Sequence, residues 1–103
     1  MPLPAKLQQA IAAILSQPGE TELSLRRAVL ERTRSGEGQV PEALRDYVNK
    51  IADHPWTVSD EDFARLRAAG YSEGQLYEVT LAAAMGAGLQ RFDAGLRALD
   101  EAS

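Results

Sequence analysis

The chain reads as an all-α domain, a compact bundle of about five helices, on three observations. Ala, Leu, Arg and Glu dominate its 103 residues and β-branched residues are few, a bias toward helix by propensity. Apolar residues recur at three- and four-residue spacing in successive segments. Proline and glycine punctuate those segments at Pro18-Gly19, Gly36, Gly38, Pro55 and Gly70. The length suits one domain over residues 1–103. The 45% apolar and 25% charged residues are ordinary for a soluble globular protein.

The first helix is predicted over Pro4 to Ser16, with Leu3, Leu7, Ala10, Ile11, Ile14 and Leu15 on its apolar side. Thr21 is placed to cap the second helix, which runs from about Glu22 to Arg34 and buries Leu25, Val29 and Leu30. Gly36 and Gly38 end it in a flexible loop. Pro41 suits the first turn of the third helix, where its missing N–H has no helical acceptor. Leu44, Val48 and Ile51 share a face of that helix, and Tyr47 borders it. Pro55 ends it, and residues 54–58 form an extended connector. Ser59 starts the fourth helix, with Asp60, Glu61 and Asp62 in its electropositive first turn. Phe63, Leu66 and Ala69 line its buried side, and Gly70 closes it in a left-handed conformation. Ser72 and Gln75 form a capping box for a fifth helix, from Glu73 to about Asp100, with a kink near Gly86 or Gly88.

Between Val79 and Leu89 the fifth helix contains one polar residue, Thr80. That stretch is too short to span a bilayer, so it belongs in a protein interior or interface. Ala82, Ala83, Ala84, Gly86, Ala87 and Gly88 are all small. Tight packing within the subunit, a contact between subunits and a ligand cavity each explain such a tract. Leu76, Val79, Ala83 and Ala87 occupy one side of the helix. Leu81, Met85, Phe92, Leu96 and Leu99 occupy others, more than one core can cover. A homo-oligomer is therefore expected, with Met85, Gly88, Phe92 and Leu96 at its interface.

Composition excludes several chemistries. The chain has no cysteine, which removes thiolate nucleophiles, disulfides, zinc–thiolate sites and thiol redox cycling. No apolar run reaches membrane-spanning length, so no membrane association is expected. The first fifteen residues read as a helix and not as a signal peptide, which makes the cytoplasm the expected location. Residues 1–52 carry seven basic and six acidic groups, and residues 53–103 carry four basic and nine acidic. An acidic chain with no long basic tract is not built to bind nucleic acid.

The capped fourth helix, the AAGYSE turn and the long Ala-rich helix resemble the alkylhydroperoxidase D-like group, which includes the carboxymuconolactone decarboxylases. The resemblance covers about Leu44 to Leu99. It implies an all-helical fold that assembles as trimers or hexamers. Peroxidase members of that group carry C-x-x-C-x-x-x-H before the turn. Counting back from Gly70, the histidine position falls on Asp62 and the cysteine positions on Val58 and Pro55. The relay glutamate falls near Ala43, beside Glu42. All the redox positions are therefore vacant, and peroxide reduction needs the sulfur itself. The decarboxylase members do not depend on that cysteine pair.

His54, the one histidine, is the candidate catalytic residue. It reads as a general acid/base oriented by a neighbouring carboxylate, or as a polar residue just past a helix C-terminus. Trp56, Asp62 and Tyr71 are candidate ligand-binding residues around a small pocket against the Ala/Gly face, and Tyr77 is a further source of a hydroxyl. Asp60, Glu61 and Asp62 point in different directions on a helix, so no metal site is expected there, and no cofactor is implied. Arg26, Arg27, Arg32 and Arg34 concentrate positive charge, either for an acidic ligand or partner or as a solvated face. Three functions fit this sequence: a ligand-binding relative of the group without redox chemistry, a decarboxylase-like lyase using His54, and an interaction module working through the fifth helix.

Overall fold

A computed structural model describes residues 3–102 as five α-helices with, among the described residues, no strand. They are α1 (Ala5–Ser16), α2 (Leu23–Ser35), α3 (Glu42–Asp53), α4 (Asp60–Ala68) and α5 (Glu73–Ala102). A single 3-10 turn, Pro55–Thr57, stands where an extended connector was expected. α5 is one continuous helix of 30 residues, with no break at Gly86 or Gly88. At 1.5 Å per residue it is about 45 Å long, and it sets the long axis of a molecule measuring 51 × 28 × 21 Å.

The most extensive packing is between α2 and α5, followed by α3 on α5. Val29 and Leu30 of α2, Leu44 and Val48 of α3, and Val79, Ala82 and Ala83 of α5 form one buried cluster, with Leu66 of α4. Gly86 shows why the two helices approach so closely. A β-carbon there would overlap the carbonyl oxygen of Leu30 and the hydroxyl of Thr33. The small-residue tract thus lets the α5 backbone lie directly on α2. Gly38 serves the neighbouring loop in the same way, against the carbonyl of Ala28, and Val40 beside it is buried.

Several local expectations hold, and several are corrected. Gly70 has φ of 105°, and the bonds Tyr71 N–H to Leu66 O and Gly70 N–H to Arg67 O close α4 in a Schellman motif. Ser72 and Gln75 form the reciprocal capping box of α5. Thr21 does not cap α2. Its N–H and hydroxyl instead donate to the carboxylate of Glu78 on α5, which also accepts from the Glu20 N–H. The buried side of α4 holds Asp62 and Leu66, while Phe63 is 38% exposed and Ala69 is exposed. Tyr47, expected at a border, is 1% exposed. No residue of α1 is fully buried; Ile11, Ile14 and Leu15 lie half-buried against the core.

Arg26 and Arg34, two of the four arginines on α2, join elements of the fold. Arg26, 5% exposed, donates to the carbonyls of Ile14, Gln17 and Thr21, so it holds the end of α1 and the following turn against α2. Arg34 makes a two-point ion pair with Asp93 on α5. The carbonyls of Ile14 and Gln17 lie at the C-terminal end of α1, where helical donors run out, so these bonds offset the burial of the Arg26 charge.

The two glycines predict different costs. Gly86→Ala should destabilise the protein by about 3 kcal/mol, because the α2 backbone must move. Gly70→Ala should cost about 1 kcal/mol, since nothing lies near its β-carbon and only the backbone conformation is disfavoured. Urea denaturation of both variants checks the order.

Candidate functional site

The sequence-predicted residues fall in four separate places. His54 and Trp56 lie together on the 3-10 turn, ring edge to face at 5.4 Å between centroids. Both are exposed, Trp56 at 77%, so Trp56 walls no enclosed pocket. The His54 carbonyl accepts from the Thr57 hydroxyl and N–H, and its own N–H donates to Lys50 O at the end of α3. Among the described residues no carboxylate pairs with the His54 ring. Tyr71 is half-buried against the core at the start of the turn into α5.

Asp62 lies elsewhere, 2% exposed between α3 and α4. Its carboxylate accepts from Lys50 Nζ at 2.9 and 3.1 Å, from the Ser59 N–H at 2.9 Å and from Arg65 at 2.9 Å. Asp46 adds a second carboxylate 3.7 Å from Lys50 and 3.6 Å from Arg65. Asp62 therefore closes the capping box of α4 and ties that short helix to α3. The Lys50 ammonium and the Ser59 N–H outweigh burial, and with Arg65 they pull the Asp62 carboxyl down to about 2. Every oxygen is occupied by a protein donor, so the arrangement is a lock and not an open ligand site.

Met85, Gly88, Phe92 and Leu96, the expected interface residues, all lie on α5. Gly88 is exposed; Met85, Phe92 and Leu96 are half-buried. Met85 packs against the core, and of the four only Gly88 lies on the exposed outer side of α5. Tyr77, Leu81, Ala84, Gly88 and Gly95 are exposed and separated by three-, four- and seven-residue steps, so they line the side of α5 turned away from Val79, Ala83 and Gly86. Arg91, exposed between Gly88 and Gly95, is the charged residue on that side.

An apolar groove of about 480 Å³ lies among α3, α4 and α5. Phe63 and Tyr77 form its walls; Tyr47, Leu76 and Thr80 lie beneath. At its rim Arg67 donates to Glu73 at 2.9 Å. The rings of Tyr47 and Phe63 meet edge to face at 5.7 Å. The Tyr47 and Thr80 hydroxyls are hydrogen-bonded to each other at 2.5 Å, and Thr80 Oγ1 also lies 2.7 Å from the carbonyl of Leu76. Burial, and beyond it the negative charge of Asp62, raises the Tyr47 hydroxyl above its usual range against the opposing bond to Thr80, so it stays protonated. An apolar cleft with a few convergent polar groups is the common form of a small-molecule site. A hollow of about 590 Å³ between the ends of α2 and α5 differs in kind, being lined by charged side chains such as Arg34 and Asp93 that pair with each other.

The groove brings together residues that sequence reasoning did not combine. Thr80 stood out as the one polar residue in its tract, and Tyr77 as a source of a hydroxyl. Tyr47 lies 33 positions before Thr80, and no local pattern connects them. Neither His54, Trp56 nor Tyr71 lines the groove. Among the described residues no cluster of three or more His, Asp or Glu side chains is arranged to hold a metal ion, and no helix is long and apolar enough to cross a membrane. Comparison with protein families, curated proteins and solved structures returns no match.

The Asp62 lock predicts an acid response. Its folded-state value of about 2 lies below the ordinary 3.8, so the unfolded chain takes up the proton first. The stabilisation is complete above about pH 4 and is lost as pH falls toward 2. Asp62→Asn should cost about 2 kcal/mol at pH 7 and flatten the fall in stability between pH 4 and 2. Urea midpoints measured across that range check both effects.

Proposed function

We propose that this protein is a non-redox, ligand-binding relative of the alkylhydroperoxidase D-like group, working as a homo-oligomer in the cytoplasm. The groove between α3, α4 and α5 carries the proposal: it leaves the aromatic side chains of Phe63 and Tyr77 partly uncovered above the hydroxyls of Tyr47 and Thr80. The resemblance over Leu44–Leu99 spans most of α3, α4 and most of α5, the three helices that line the groove. The missing cysteines favour binding over peroxide reduction. The apolar outer face of α5 supports self-association, as trimers or hexamers by the same resemblance. Covering that face removes apolar surface from water, the usual driving force for obligate assembly.

Ligand binding is checked by adding small apolar molecules to isotopically labelled protein. Saturable resonance shifts at Phe63, Leu76, Tyr77 and Thr80 are expected. Tyr77→Asp, at a position 66% exposed, should abolish them without changing the helical circular dichroism. Shifts scattered over the whole surface would remove the proposal.

Self-association has its own readout. Light scattering should return at least twice the chain mass. A β-carbon at Gly88 meets nothing within 4 Å in the subunit. Gly88→Trp should therefore lower the assembled mass and leave the helical content unchanged. A wild-type monomer across the micromolar range would remove the assembly.

A further inference from the structure

The groove has a polarity that restricts what it accepts. Thr80 Oγ1 has one proton and two close partners. The Leu76 carbonyl can only accept, whereas the Tyr47 hydroxyl can also donate. Both contacts are satisfied when Thr80 donates to Leu76 and Tyr47 donates to Thr80. The Tyr47 oxygen then has its proton committed and retains unused acceptor capacity at the groove floor. The complementary ligand group is a donor.

Charge narrows the choice further. Among the described residues, Arg67 is the one cation lining the groove, and it already donates to Glu73. Carboxylates and phosphates therefore meet the lone pairs of the floor and bring it no proton. The walls are aromatic, with Phe63 and Tyr77 partly uncovered on two different helices. A flat ring between them extends the edge-to-face cluster begun by Tyr47 and Phe63. A volume of about 480 Å³ has room for one or two fused rings.

We propose that the groove selects small, neutral planar molecules that carry an N–H or O–H donor, of the phenol and indole class, with the Tyr47 oxygen accepting that proton. This rests on the groove being the binding site and adds the chemistry that it selects.

The test titrates labelled wild-type protein with indole, 1-methylindole, p-cresol, 4-methylanisole and benzoate. Indole and p-cresol should bind about fivefold to tenfold more tightly than their methyl-capped partners, the worth of one net hydrogen bond. Benzoate should bind most weakly. Tyr47→Phe keeps the ring but also frees the Thr80 oxygen as an acceptor, so with Thr80→Val added it should bring capped and uncapped rings to equal affinity. Equal affinity in the wild type, or preference for benzoate, would overturn the donor selection and leave the groove as a binding site. Full discrimination with both substitutions in place would overturn the role of Tyr47. The wild-type comparison needs no variant to fold. If none of the five compounds shifts the groove resonances, the binding function beneath this inference falls with it.

Discussion

The backbone contact between α2 and α5 at Gly86 is the constraint on which the rest of the structure depends. With no side chain there, α5 lies directly on the carbonyl of Leu30. That approach brings Val29 and Leu30 against Val79, Ala82 and Ala83, and these residues anchor the common core. A larger residue at this crossing would separate the helices and open the core along its length, because protein interiors tolerate little added volume. Mid-helix glycine is costly by about 1 kcal/mol in local propensity. Tertiary packing repays that cost, which is why the tract continues through α5 without a kink.

Polar side chains complete what the apolar contact begins. Arg26 holds α1 and its turn onto α2. Glu78 holds the turn before α2 onto α5. Arg34 joins the far end of α2 to Asp93, and Asp62 locks α4 to α3. The bonds made by Arg26 and Glu78 each satisfy backbone groups that a helix end or tight turn would leave open. Asp62 and Lys50 put a charge-assisted bond across the junction of the shortest helix, whose own apolar contribution to the core is chiefly Leu66.

Much of this architecture was legible in the sequence, because helix boundaries depend on local chemistry. Ser59, Gly70 and the Ser72–Gln75 pair act on groups only a few residues away, and their roles could be read directly. Thr21 misled, because its partner Glu78 is 57 positions distant. A threonine before an apolar segment looks the same whether it caps that segment or binds across the fold. Arg26 misled similarly, since an arginine cluster on a helix resembles a solvated face until a neighbouring helix end arrives. The fourth helix was misread for a further reason: Asp62 is buried only because Lys50 and Arg65 neutralise it, and Phe63 is left at the groove as a result. The groove itself combines Tyr47, Phe63, Tyr77 and Thr80 from three helices. Thr80 signalled its importance as an isolated polar residue in an apolar tract, and Tyr77 as a source of a hydroxyl, but nothing local joined either to Tyr47 or Phe63.

The pairing of α2 with α5 also governs how the chain can acquire its structure. Leu30 and Gly86 are 56 positions apart, so the principal contact closes a long loop before it is rewarded. During N-to-C synthesis, α2 emerges well before the helix that covers it. Its apolar stripe must wait, exposed, until α5 has left the ribosome, and cooperative folding is delayed to that moment. The short helices between them fill that interval with local structure, but neither can substitute for the surface that Gly86 makes available.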